Sequence, residues 1–122
     1  MTERLFTRDE ADAELDELRR RLPELEEARQ RLIDTARTIT DAVASDGGGV
    51  EGSEWFRAQR ILKDGLEWLA ERGILLRDPQ TGLVDFPADV DGRRVFLCWR
   101  LGEDEVAWYH DEDSGFAGRR PL

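Results

Sequence analysis

The chain has 122 residues, a length typical of a single domain that buries its core without disulfides. Its formal net charge of −10 disfavours nucleic acid and anionic membrane as partners, because both need a positive footprint. The single cysteine excludes an internal disulfide, and the N-terminus has no apolar signal run, so we expect a cytoplasmic protein. One lysine against 17 arginines is typical of a GC-rich genome, and the surplus of acids also suits a salt-adapted host.

A capping box predicts the start of the first helix, with Thr7 as the N-cap and Glu10 as the third helical residue. Apolar residues then recur at alternating spacings of four and three, a heptad pattern that predicts a long helix over roughly 8–44. The positions are Ala11, Leu15, Leu18, Leu22, Leu25, Leu32, Ala36, Ile39 and Val43, with Arg29 at the one position of the pattern that is not apolar. Because the phase is the same on both sides of Pro23, a kinked continuous helix is favoured over two helices.

A second helix follows a glycine-rich loop at residues 45–52. Ser53 is expected as its N-cap, and Gly73 is expected just after its end. So short a link makes the two helices antiparallel neighbours. The apolar face of the second helix is wider than the first helix can cover, so the sheet or a second copy of the protein must cover the rest.

From Ile74 the apolar period changes to two, which predicts strands. A short strand at 74–76 is followed by a turn, and strands 83–90 and 93–101 flank the type I′ turn signal Asp91-Gly92. This turn pairs Val90 with Arg93, and the apolar residues then fall on one face. A third strand at 106–110 is expected to place Trp108 opposite Trp99.

These elements predict an α+β fold with one domain spanning 1–122. A long antiparallel helical hairpin (1–73) packs on a three-stranded antiparallel β-meander with a C-terminal loop (74–122). The expected inner face of the meander is formed by Val84, Phe86, Val95, Leu97, Trp99 and Trp108.

The opposite face of the meander carries Asp85, Cys98 and Arg100. In the expected register Asp85 and Arg100 are diagonal neighbours. They form either a half-exposed ion pair or an arginine held in place to receive an anion. Cys98 is expected to be a small buried hydrophobe, since the only histidine lies on the other alternation.

Two further groups of residues are candidates for binding. His110, Asp111 and Asp113 at the end of the third strand are either a metal site or a solvated strand end. The glycine-spaced tail ends in Arg119 and Arg120, which could hold an anion together with backbone N–H groups. Alternatively, the tail threads Phe116 into the core and its arginines pair with the acidic surface.

Four segments of the chain resemble an uncharacterised prokaryotic family, domain-of-unknown-function family 2203. They are Leu-Phe-Thr-x-x-Glu-Ala at the start, Gly-Leu-Val-Asp-Phe-Pro-Ala (82–88), Leu-Cys-Trp-Arg-Leu-Gly-Glu (97–103) and Gly-Phe-Ala-Gly-Arg-Arg-Pro-Leu (115–122). The resemblance covers nearly the whole chain and implies no activity, cofactor or catalytic residue. The acidity and the glycine-rich linker depart from the pattern expected of the family.

The sequence has no nucleophile elbow, dinucleotide fingerprint or Cys-x-x-Cys motif, which disfavours nucleophilic hydrolases and redox enzymes. We therefore expect a non-catalytic interaction protein that forms homo-oligomers through its helices. The alternative is a binder of a small anionic ligand or a divalent metal, or an enzyme acting on one. The ligand residues would be Asp85, Arg100, Arg119 and Arg120, and the metal residues His110, Asp111 and Asp113.

Overall fold

The structure, a computed structural model, describes residues 3–45 and 52–122. The three α-helices are α1 (Arg8–Asp12), α2 (Leu15–Ser45) and α3 (Gly52–Arg72). The five strands are β1 (Leu75–Asp78), β2 (Leu83–Val90), β3 (Arg93–Arg100), β4 (Trp108–His110) and β5 (Arg120–Pro121). A short 3-10 helix, Phe116–Gly118, lies between β4 and β5. No helix among the described residues is long and apolar enough to cross a membrane.

The first predicted helix is present, but it is interrupted before Leu15 and not at Pro23. The Thr7 capping box is present, with the Thr7 hydroxyl accepting from the Glu10 backbone N–H. Pro23 lies inside an unbroken α2, as favoured, whereas a turn at 13–14 separates α1 from α2. At this interruption Asp12 accepts the Val106 backbone N–H at 2.7 Å, so the side chain anchors the loop before β4.

The second helix also differs slightly from its prediction. It begins at Gly52, so Ser53 lies within its first turn. Most of the predicted glycine-rich loop falls outside the described residues, as do the side chains at heptad positions Ile39 and Val43. Gly73 has a φ of +76°, and the Ile74 N–H donates to the Leu69 carbonyl, which is the predicted helix ending.

The sheet has five antiparallel strands in the order β1-β2-β3-β4-β5, so the predicted three-stranded meander is extended by one strand at each edge. The β2–β3 register agrees with the prediction throughout, from Val90↔Arg93 to Val84↔Trp99. β1, close to the short strand predicted at 74–76, covers the first half of β2, and the two residues of β5, which were not predicted, pair with β4. Pairing with β1 ends at Asp85, so Pro87 has no strand neighbour on that side, and there its carbonyl accepts the Phe6 N–H.

The register of β4 differs from the prediction by one residue. Trp108 lies opposite Cys98 rather than Trp99, and His110 lies opposite Phe96. Because side chains alternate across a strand, this shift moves Trp108 off the inner face and brings His110 onto the face of Asp85 and Cys98. Val106, expected within the strand, is instead buried in the core before β4 begins.

The core lies between one face of the sheet and the helices, as an α+β arrangement requires. The sheet contributes five fully buried residues of the predicted inner face, and α1 and α2 contribute the heptad residues up to Leu25. The buried members of both layers are Ala11, Leu15, Leu18, Leu22, Leu25, Leu69, Val84, Phe86, Val95, Leu97 and Trp99. The second face of the sheet is covered by the C-terminal segment and by arginine side chains.

Gly82, which precedes β2, has a φ of +71°, and a Cβ placed on it would lie 2.7 Å from Leu101 Cβ. We expect Gly82→Ala to lower the free energy of unfolding by about 2–4 kcal/mol, through left-handed strain and overpacking together. Gly92→Ala is the matched control, because Gly92 has a φ of +81° but no atom within 4 Å of such a Cβ. Urea denaturation measures both variants, and an equal loss in the two would contradict the packing constraint.

Candidate functional site

Three neighbouring strands bring Asp85, Cys98 and His110 together on the second face of the sheet. Asp85 on β2 is the register partner of Cys98 on β3, and His110 on β4 is the partner of Phe96, two residues from Cys98. One ligand atom from each of the three side chains lies within 4.8 Å of the others. All three residues are buried, with exposures of 2%, 0% and 3%.

The two ring nitrogens of His110 both face oxygen atoms. Nδ1 lies 2.7 Å from the Asp111 carbonyl oxygen, and Nε2 lies 2.9 Å from Asp85 Oδ2. A carbonyl oxygen only accepts hydrogen bonds, so Nδ1 carries a hydrogen and donates it. Nε2 then faces a carboxylate oxygen, and this contact is favourable only with a positive centre, such as a proton, between the two atoms.

The Asp85 carboxylate is only partly satisfied. The Arg77 Nε–H donates to Oδ2 at 2.8 Å, the same oxygen that faces His110. Oδ1 is buried and has no hydrogen-bond partner among the described residues. An orphaned carboxylate oxygen is costly in an interior, so its retention needs an explanation.

Cys98 carries a neutral thiol. The pKa of this thiol is raised to about 11, chiefly by burial and next by the nearby Asp85 carboxylate, while the Arg119 guanidinium acts in the opposite direction. A thiol with such a pKa is a poor nucleophile near neutrality.

Arg119 closes the site from the C-terminal side. Its guanidinium forms two hydrogen bonds with the Glu103 carboxylate, at 3.1 and 2.7 Å, and lies over the rings of Trp108 and Phe116. Burial alone would raise the pKa of Glu103, but hydrogen bonds from Arg119 and from the Arg100 backbone N–H outweigh it and hold that pKa below its ordinary value. This pair is therefore ionised and tied to the β3–β4 loop.

Phe96 forms the adjoining wall of the site. Its ring centroid lies 5.4 Å from that of His110, and the guanidinium groups of Arg77 and Arg94 lie over the ring at 4.9 and 4.5 Å. Arg94 is also paired with Glu3 near the N-terminus. The cluster is thus enclosed by stacked arginines and aromatic rings.

In the structure, the residues expected to bind an anion have partners other than those the sequence suggested. Asp85 pairs with Arg77 and His110, whereas Arg100 is exposed and lies over the Phe116 ring, 5.1 Å from its centroid. Arg120 pairs with Asp111 at 2.9 Å. The expected Asp85–Arg100 neighbours therefore do not form the ion pair, and Asp85 is buried rather than half-exposed.

The expected metal residues are separated as well. The Asp111 carboxylate binds Arg93 and Arg120, and only its backbone carbonyl contacts His110. Asp113 is exposed. His110 is thus brought together with Asp85 and Cys98, a grouping that the sequence reasoning missed because it placed the histidine on the other face.

The geometry does not form a cysteine-based catalytic triad. In such a triad one ring nitrogen contacts the carboxylate and the other contacts the thiol. Here Asp85 takes Nε2 and the Asp111 carbonyl takes Nδ1. The almost complete burial of the cluster suits a proton or a small ion rather than an organic substrate.

The raised pKa of Cys98 predicts an alkaline loss of stability. The folded state holds the thiol proton up to about pH 11, whereas the ordinary pKa is 9.0. The stabilisation is therefore complete below pH 9 and is lost as the pH rises towards 11, by about 2 kcal/mol. Cys98→Ala should lack this loss, because it has no proton to release. Chemical denaturation of both proteins from pH 8 to 11 measures the difference, and parallel curves would contradict it.

Comparison with known proteins places the whole chain in one family. The model of the family described as "Uncharacterized conserved protein (DUF2203)" matches residues 4–122. No curated protein and no solved structure matches the chain. The segments 82–88, 97–103 and 115–122, which carry the resemblance, all contribute side chains to the site described above. The protein belongs to the DUF2203 family.

Proposed function

We propose that the protein is a non-catalytic interaction protein that self-associates through α2 and α3. The observation that supports this is the apolar surface left on the helices. Among the described side chains of α2 the last buried residue is Ala28, and the following apolar residues Leu32 and Ile33 are only half-buried. On α3, Phe56, Ile61 and Leu66 are 66%, 37% and 44% exposed.

A groove between the two helices offers a docking surface. One part encloses about 270 Å³ and is lined by the apolar residues Ala28, Ala58 and Ile61. An adjoining hollow of about 180 Å³ shares Ile61 and is bounded by Leu25 and Gly65. Because the two hollows share Glu24 and Ile61, they adjoin each other along the helices, and together we call them the groove.

The rim of this groove favours a second copy of the chain over other partners. It carries charges of both signs: Glu24, Glu27, Glu54 and Asp64 are acidic, and Arg21, Arg31 and Arg57 are basic. A surface of mixed sign on a chain with a net charge of −10 attracts neither nucleic acid nor anionic membrane. An identical surface related by a two-fold axis can place acids of one copy opposite bases of the other. Two helical hairpins would then complete a four-helix arrangement.

The alternative of a small anionic ligand has less support. Arg119 is bound by Glu103 and Arg120 by Asp111, so two of the three arginines that would receive an anion already have carboxylate partners. Arg100 is exposed and has no ion pair among the described residues. A single solvated guanidinium is a weak anion site.

Self-association predicts a molecular mass of twice 14.0 kDa for the wild type at micromolar concentration. Ile61→Glu should raise the dimer dissociation constant by about 10–100-fold, because it removes an apolar side chain that the dimer interface would bury and places a charge in the groove. Size-exclusion chromatography with light scattering measures both proteins.

Leu122→Glu is the matched control, since Leu122 is 42% exposed but lies outside the helices. It should leave the dissociation constant unchanged. A wild type that stays monomeric up to tens of micromolar would overturn the proposal, and so would equal weakening by the two variants.

A further inference from the structure

We propose that Asp85, Cys98 and His110 form a binding site for a divalent transition-metal ion of the zinc class. This site is separate from the helical groove and does not depend on self-association. It offers one carboxylate oxygen, one sulfur and one imidazole nitrogen, on three adjacent strands of a rigid sheet. Such a mixed set is the ligand chemistry that zinc and cobalt(II) prefer.

The orientation of His110 is that of a metal ligand. Metal-binding histidines almost always donate their second ring N–H to a carbonyl or carboxylate, which fixes the tautomer and aims the other nitrogen at the ion. His110 Nδ1 makes this contact with the Asp111 carbonyl at 2.7 Å. Nε2 faces Asp85 within the cluster, and its lone pair becomes available to an ion once the proton between the two atoms has left.

The contact between His110 and Asp85 requires a positive centre. Nε2 and Oδ2 lie 2.9 Å apart, and both are acceptors once Nδ1 holds the ring hydrogen. The second carboxylate oxygen, Oδ1, is buried without a partner. A bound cation would supply the positive centre for this contact and a partner for the carboxylate. It can take Nε2 and an Asp85 oxygen as ligands while Arg77 keeps its contact with the carboxylate.

The spacing of the ligand atoms is close to what such an ion needs. Bond lengths of about 2.0–2.3 Å in a tetrahedral site place ligand atoms about 3.4–3.6 Å apart. The three atoms here already lie within 4.8 Å of one another, so shifts of about 1 Å complete the site. Three protein ligands leave the fourth position to water.

Charge balance and access are also compatible with the ion. On binding, the Cys98 thiol and the His110–Asp85 contact each release one proton to solvent, and the sulfur and Nε2 bond to the metal, so thiolate and carboxylate together neutralise its two positive charges. The Arg119 charge nearby is already compensated by Glu103. Arg77 is 44% exposed and borders Asp85, so its side chain is the movable part of the wall.

Cobalt(II) titration of the chelator-treated full chain tests the site. We expect binding of one equivalent, with intense visible bands of a tetrahedral ion and a sulfur-to-cobalt charge-transfer band in the near ultraviolet. Zinc should displace the cobalt and abolish both signals. Cys98→Ala should lose the charge-transfer band, and Asp85→Asn and His110→Asn should each weaken binding by more than the ~10–100-fold typical of outer-shell changes.

Asp113→Asn is the matched control, because it removes an exposed carboxylate near His110 in sequence that lies outside the cluster. It should bind cobalt like the wild type. The proposal is overturned if the wild type binds no cobalt with a thiolate signature. It is equally overturned if the control variant loses binding while Cys98→Ala keeps it. Circular dichroism of each variant verifies folding, and the wild-type spectrum decides the matter should a variant fail to fold.

Discussion

The pairing of Phe96 with His110 across β3 and β4 decides on which face of the sheet the only histidine lies. Side chains alternate along a strand, so a slip of one residue would move His110 to the face covered by the helices and return Trp108 with it. The slip is prevented by contacts that precede β4. Asp12 holds the Val106 N–H, and Glu103 accepts the Arg100 N–H at 2.7 Å. The composition of the buried cluster thus depends on side-chain contacts outside the strands.

Buried charge on this face is tolerated because each charged group has a counterpart. Arg77 lies against Asp85, and Arg119 lies against Glu103, each also stacked on an aromatic ring. Removing one member of such a pair leaves an uncompensated charge, which costs more than the pair contributes. The exception is Asp85 Oδ1, whose lack of a partner stands out against this otherwise complete pairing.

Much of the fold could be predicted from the sequence, since its signals are local. The two-residue turn Asp91-Gly92, with φ values of +53° and +81°, fixes the whole β2–β3 register. The loop after Arg100 has no comparable turn signal. Neither the β4 register nor the residues that contact His110 could therefore be predicted. The pairing of Asp85 with Arg77 was missed for a related reason. Arg77 lies at an irregularity in the β1–β2 register, which the apolar periodicity does not predict.

The two faces of the sheet keep the surface proposed for self-association apart from the cluster proposed for ion binding. One face is covered by helices whose outer surfaces remain partly apolar, and the other by a short C-terminal segment whose arginines close a polar cluster. The helical groove lies on α2 and α3, whereas the cluster is built from β2, β3 and β4. A change at Ile61 therefore alters no contact of His110, and sites without shared partners behave additively. Association and ion binding can be measured independently in the same protein.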